Sequence, residues 1–427
     1  MTSIANGQRK TLRFLDLFAG AGGLSEGFIR AGFTSVAHVE INKAACFTLK
    51  TRASYHWLKK QGQLQSYDDY LHRRIERTDL YNIVPGKEIS SVINSEIGAD
   101  TLPDIFKKID KLLQGEKMDL IVGGPPCQAY SVVGRSRDKD GMKGDKRNYL
   151  YVYYADFLER YKPKYFVFEN VTGLLSAKDE NGDLYFDTMK KLFEKKGYTI
   201  ASRVLSADAY GVLQKRKRII LVGNRDQKID FFPEPEKWHP NVKVEEILSD
   251  LPPIMAGEGS FSPCKLGEYS GQYLCEAGIR NGNEYVTLHS ARPQTEQDLE
   301  IYRIAVEQWN ESNRRLQYYT LPDHLKTHKN QTSFTDRFKV VAADLPVSHT
   351  VVAHIAKDGH YYIHPDIEQN RSLTPREAAR LQTFPDDYYF ESEPETPGRT
   401  SPFRQIGNAV PVLLAYKIAE KLWEDWH

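Results

Sequence analysis

The sequence predicts an α/β fold: a doubly wound, mostly parallel sheet joined to a smaller loop-rich domain. Three observations carry that expectation. Between Thr11 and Asn224, short β-rich runs alternate with helical patterns, as in chained strand–helix–strand units. The first run leads through a glycine-rich turn, residues 19–23, into a helix. After Asn224 the periodicity fades and Gly, Pro, Ser and Asn accumulate, at 231–235, 251–253, 257–263 and 278–283.

The elements follow in order. Predicted strands are 13–17, 35–39, 120–122, 165–169, 199–205 and 218–222. Predicted helices are 24–31, 104–113, 149–161 and 185–196. One stretch, about 44–95, interrupts the alternation; it is long and polar and reads as helical. A helical pattern near 296–315 stands alone in the loop-rich region. Regular patterning resumes at 373–384 and ends in a helix over 410–425. The expected organisation is a domain at 11–227 with an insertion at about 44–95, a second domain at 228–345, and a return to the first at 346–427.

Composition excludes several classes. No apolar run approaches the roughly 20 residues of a membrane span, and residues 1–10 lack the apolar core of a signal peptide. Cys46, Cys127, Cys264 and Cys275 are too few for a disulfide framework in 427 residues, so a reducing cytoplasm is the expected compartment. Cys264 and Cys275 lack paired metal spacing and read as structural; no metal site is expected. With 58 basic and 57 acidic residues, net charge says nothing about nucleic acid. Local charge says more: residues 131–148 hold six basic and three acidic side chains, and Lys215–Arg218 is a second basic cluster. On charge alone both read as solvated loops.

Three clusters carry chemistry. Asp16-Leu17-Phe18-Ala19-Gly20-Ala21-Gly22-Gly23-Leu24 runs from strand to helix, and its glycines let a ligand approach the backbone at a helix N-terminus. Such a turn serves many nucleotides, or none. Glu40, ending the next strand, gives it weight, because a carboxylate there can accept both ribose hydroxyls of an adenosine; a surface carboxylate is the plainer reading. Gly123-Gly124-Pro125-Pro126-Cys127-Gln128 presents a lone cysteine at a strand's carboxyl end, where α/β sheets place their chemistry. Glu169 closes a hydrophobic strand on the same edge and can act as acid or hydrogen-bond donor, or merely cap the sheet. In an extended strand Gln214, Arg216 and Arg218 share a face, which suits phosphate or carbonyl oxygen as readily as a charge-protected edge.

In this order the residues resemble the C5-cytosine DNA methyltransferases of bacterial restriction–modification systems. Asp16–Gly23 looks like their cofactor loop. Gly124-Pro125-Pro126-Cys127-Gln128-Ala129-Tyr130-Ser131 looks like their catalytic loop, with Tyr130 where Phe is more usual. Glu169-Asn170-Val171 matches a Glu-Asn-Val element, and Gln214, Arg216 and Arg218 match Gln-x-Arg-x-Arg. Residues 371–385 match a late helix motif, and Gln405-Ile406-Gly407-Asn408-Ala409-Val410-Pro411 a C-terminal one. The match spans nearly the whole chain. It departs at Ile41, where many members carry an aromatic residue, and at Leu213, where Pro is common. The gap of some 60 residues between Glu40 and Asp100, the candidate for reading the adenine amine, is also long for the family.

The resemblance implies S-adenosylmethionine as methyl donor and duplex DNA as substrate. Cys127 is the expected nucleophile on cytosine C6, its thiolate favoured by Arg216 and Arg218. Glu169 is expected to hold N3 and the exocyclic amine, and Arg218 the O2. The sequence names no base for the C5 proton, and the acceptor is left open, with water as one candidate. Phe18, Ala19, Gly20, Gly22, Gly23, Leu24, Glu40, Ile41, Asp100, Pro125, Asn408 and Val410 are the expected cofactor contacts. Gln128, Ser131, Arg135, Arg147 and Gln214 are the expected DNA contacts. The target atom is unreachable in a duplex, so the base must be flipped out. The 131–147 loop then reads as a lid closing over it. Residues 228–345 take the place of a target-recognition domain, with Arg314, Arg315, Lys326, Lys329 and Arg337 as candidate contacts. A second methylase subunit and a cognate restriction endonuclease are the further partners this family uses.

Two other readings stay open. An RNA C5-cytosine methyltransferase would use the same chemistry; the long irregular 228–345 region favours duplex DNA, and labelled methylation of matched DNA and tRNA separates the two. A non-catalytic DNA-binding subunit of this fold would not need Cys127, Glu169 and Arg218 together.

Overall fold

The computed structural model describes residues 11–126, 149–179, 181–226, 231–328 and 335–426. Seven strands form one sheet: β1 Arg13–Leu17, β2 Thr34–Glu40, β3 Val92–Asn94, β4 Leu120–Gly123, β5 Tyr165–Asn170, β6 Thr199–Ser206 and β7 Lys217–Asn224. Their order is β3-β2-β1-β4-β5-β7-β6. All neighbours from β3 to β5 pair in parallel, whereas β7 runs antiparallel to both β5 and β6. The expected doubly wound, mostly parallel sheet is what the chain forms.

The strands alternate between two cores. Phe14, Leu120, Val122, Val167, Ile220 and Val222 face one apolar cluster. Leu15, Leu17, Ile121, Phe166, Phe168, Ile219 and Leu221 face the other. A period of two with apolar residues on both faces is how a strand reads when helices cover both sides of the sheet. Helices α1 Gly23–Arg30, α2 Lys43–Gln61, α3 Gln65–Leu71, α4 Arg77–Ile83, α5 Gly86–Ser90 and α6 Leu102–Leu113 precede β4; α7 Leu150–Tyr161 and α8 Tyr185–Lys195 follow it. The 44–95 stretch is helical over α2–α5 but also holds β3, one of the two edge strands of the sheet.

After β7 come two-residue ladders, Gly259–Ser260 with His289–Ser290 and Cys264–Lys265 with Tyr285–Val286. Helix α9, Glu296–Ser312, packs Tyr302, Val306 and Trp309 with Tyr318 and Phe338 into a separate small core. The late helix α10, Pro375–Leu381, starts on a capping box between Thr374 and Glu377. Its buried Arg380 binds Asp250 and Asp386, and Arg376 donates to the Thr287, Pro385 and Tyr388 carbonyls. These arginines tie the loop-rich region to the sheet body.

Helices α11, Thr400–Asn408, and α12, Val412–Glu424, close the fold. Helix α12 packs on α1 at a glycine: a Cβ on Gly27 would lie 2.5 Å from the Ala415 Cβ and 2.5 Å from the Tyr416 nitrogen. Backbone on both sides leaves little room to give. Gly27→Ala is therefore expected to lower stability by about 1–3 kcal/mol. An unchanged urea midpoint would refute this account of the α1–α12 crossing.

Candidate active site

One cavity of about 1220 Å³ opens at the carboxyl edge of β1, β2, β4 and β5. Its floor is set by the close approach of backbones. Gly123 has φ 145°, and a Cβ there would lie 2.1 Å from the Leu17 carbonyl oxygen. A Cβ on Gly124 would lie 2.2 Å from the Glu169 carbonyl oxygen. The glycine pair thus lets β4 end flush between β1 and β5. The turn is then held by Asn170, whose amide donates to the Pro125 carbonyl at 3.2 Å.

The first wall is the glycine-rich turn. Phe18 sits at φ 58°, an unusual conformation for a residue with a side chain, at the point where β1 turns into α1. Glu40 ends β2 nearly buried, and both its oxygens are engaged. Gly20 N–H donates to Oε2 at 2.8 Å and Asn42 N–H to Oε1 at 2.7 Å. Burial raises the Glu40 carboxyl above the usual range, against those hydrogen bonds. Burial also lifts Asp16 to about 7, opposed by the hydroxyl of Ser25, which donates to it.

The second wall is charged. Arg218 Nε meets Glu169 Oε1 at 2.6 Å. The antiparallel β7 brings them together: Glu169 pairs with Ile220 in register, so the start of β7 lies beside the end of β5. In a wholly parallel sheet the start of β7 would lie at the opposite edge.

The expected cofactor residues mostly converge here. Phe18, Ala19, Gly20, Gly23, Leu24, Glu40, Ile41, Asp100, Pro125, Asn408 and Val410 all line the cavity, with Glu169 and Arg218. Gly22 lies behind the wall as the residue preceding α1, at φ 79°. Cys127, Gln128, Ser131, Arg135 and Arg147 lie outside the described residues; Pro126, next to Cys127 in sequence, lines the cavity.

Two further expected site residues do not line the cavity. Gln214, an expected DNA contact, is fully buried, donating to the Leu381 carbonyl at 2.6 Å and accepting from the Val351 N–H at 2.9 Å. Arg216 is not in the cavity wall; it is buried and donates to the Val351 and Gly407 carbonyls. One continuous strand would put Gln214, Arg216 and Arg218 on a shared face, but β7 begins only at Lys217. Residues 214–216 instead clamp the chain around 348–351 and the end of α11, which positions Asn408.

Other wall residues carried no motif: Tyr149 just before α7 and Tyr153 within it, and Ser392, Glu393, Pro394, Thr396 and Arg404 from the late loop and α11. Among the candidate recognition residues, Arg315 pairs with Asp336, Lys326 with Asp323 and Arg337 with Asp358; Arg314 is exposed and Lys329 lies outside the described residues. Among the described residues, no helix is long and apolar enough to cross a membrane.

The sheet and its cavity are those of a Rossmann-like methyltransferase. Residues 12–75 and 91–424 match the family model of C-5 cytosine-specific DNA methylases, and the chain belongs to that family. It is a DNA (cytosine-5)-methyltransferase. It is 43% identical to Type II methyltransferase M.Bpa9945I of Bacillus paralicheniformis over 95% of this chain and 97% of that protein. It is 30% identical to Type II methyltransferase M1.HphI of Haemophilus parahaemolyticus, over 96% and 86%. In fold it is similar to the Entamoeba histolytica methyltransferase EhMeth, with a TM-score of 0.53 at 14% identity, covering 98% of this chain and 100% of that one.

Proposed function

We propose that this enzyme takes its methyl group from S-adenosylmethionine and places it on C5 of a cytosine flipped out of a specific duplex sequence, protecting that DNA from a cognate restriction endonuclease. The observation that carries this reading is a single cavity holding both the Glu40–Gly20 corner and the Glu169–Arg218 pair. One suits a nucleoside and the other a pyrimidine edge. The glycine corner fits the cofactor: a Cβ on Gly20 would meet nothing within 4 Å, so the backbone there lies open to the cavity. Two backbone donors hold the Glu40 carboxylate, leaving lone pairs for two ribose hydroxyls. Ile41, 61% exposed, gives an apolar surface beside it for a purine face. When bound, the cofactor supplies an electrophilic methyl group.

The chain supplies the rest. The Cys127 thiolate adds to C6, so electron density builds at C5, which takes the methyl group. Glu169 gives a proton to N3 as sulfur adds and accepts from the exocyclic amine, while Arg218 holds the O2, so the intermediate is protonated at N3 and not anionic. The C5 proton leaves to water, the C6–sulfur bond breaks and the thiolate returns. Residues 11–227 and 346–427 form the catalytic domain in this reading, and 228–345 the part that selects the sequence. The chain works in the cytoplasm, alone or with a second methylase subunit.

Bisulfite sequencing of DNA from cells expressing only this methylase tests the proposal; converted cytosines in every sequence context would overturn it. Glu40→Gln is expected to weaken S-adenosylhomocysteine binding by about 10- to 100-fold, the worth of a charged hydrogen-bond pair. Calorimetry showing parental affinity would remove Glu40 from the ribose site.

A further inference from the structure

Residues 76–90 are the interval that the family match leaves out between 12 and 424. They form α4 and α5, and α4 contacts the loop that carries Ser392, Glu393 and Pro394 into the cavity wall. Arg77 makes the junction. Its guanidinium donates to the Ser392 carbonyl at 2.9 Å and the Glu393 carbonyl at 3.4 Å, and pairs with Glu391 at 3.4 Å. It stacks on the Phe47 ring at 3.7 Å and is nearly buried. Its backbone N–H donates to the Glu395 carboxylate. A planar fork with several fixed donors suits a run of carbonyls better than any other side chain.

The contact continues into the wall. Glu391 Oε1 accepts from Thr51 at 2.5 Å and from Tyr70 at 2.6 Å, while Tyr81 of α4 donates to the Phe47 carbonyl. The Glu391 carbonyl accepts from Gln405 at 2.8 Å, and Thr48 donates to the Gln405 oxygen at 2.7 Å. Gln405 itself lines the cavity. The 391–396 loop has no helix or strand of its own, so its course depends on these partners.

We infer that the 76–90 segment braces the cofactor side of the cavity, and that Arg77 is its positioning residue, acting through Ser392, Glu393 and Glu391 without touching the ligand. The inference rests on the proposed cofactor site. Arg77→Ala removes the fork from two wall carbonyls. S-adenosylhomocysteine binding without DNA is expected to weaken about tenfold, as is KM for S-adenosylmethionine. The kcat at saturating cofactor and the KM for duplex DNA stay at parental values. Arg77→Lys, which keeps a donor for the Ser392 carbonyl, recovers part of the affinity.

Parental S-adenosylhomocysteine affinity in Arg77→Ala overturns the inference, and so does a loss shared equally by kcat and DNA KM, which marks general destabilisation. If Arg77→Ala does not fold, Glu395→Ala decides on the same readouts, since Glu395 is exposed and outside the cavity wall. A parent enzyme that binds no S-adenosylhomocysteine brings down the proposed cofactor itself; a binding parent with unaffected variants brings down only the brace.

Discussion

Cys127→Ala is expected to lower methyl transfer by about 10⁴-fold or more, with S-adenosylhomocysteine affinity close to parental. The size follows from the reaction. Cytosine C5 is too weak a nucleophile to take a methyl group unaided, so removing the thiolate removes the step that makes it reactive. The sparing of cofactor binding follows from the layout: the glycine turn and Glu40 stand on β1 and β2, whereas the catalytic turn leaves β4. Labelled methyl transfer with the purified variant measures the first quantity and calorimetry the second. Full activity would sink the mechanism. An independent check uses duplex DNA carrying 5-fluorocytosine, whose C5 fluorine cannot leave as a proton does. The parent should form a stable covalent adduct after methyl transfer and Cys127→Ala none. No adduct with the parent would exclude attack on C6.

Glu169→Gln is expected to lower kcat by about 10²- to 10³-fold, the scale of losing one preorganised electrostatic partner in an active site. The substitution acts twice. It breaks the 2.6 Å ion pair with Arg218, and it turns one acceptor oxygen into an NH₂ group facing cytosine donors. Arg218→Ala should cost less on top of Glu169→Gln than alone, because the two act as one unit. Single-turnover rates of the two variants and the double variant test this. A kcat within threefold of parental for Glu169→Gln would place the pair outside the chemistry.

The sequence showed the sheet well where strands are long and apolar. The expected 13–17 is β1 itself, and 120–122, 165–169 and 218–222 differ from β4, β5 and β7 only at their ends. It hid β3, because Val92–Asn94 is three residues long and follows four polar helices. Without β3 in view, Asp100 stood across an unexplained gap; the strand and the turn after it carry residues 95–101 to the cavity. Gln214 and Arg216 lie away from the cavity wall for a different reason. A motif gives residue types and spacing, but whether a polar side chain faces solvent or a buried carbonyl depends on what packs over it. Here that cover arrives from 348–351 and 407, more than 130 residues later. The 392–404 wall was invisible for the same reason: position, not composition, makes it part of the site.

The Gly23 turn lies against the Val410 carbonyl, where a Cβ would come within 2.4 Å. Residues made first and residues made nearly 400 positions later therefore share one wall. At about 5–20 residues per second, a ribosome needs tens of seconds between them. The wall that Gly23 and Val410 share is therefore incomplete until translation is nearly finished. A chain interrupted before Val410 would hold all seven strands of the sheet yet lack one side of the cavity wall.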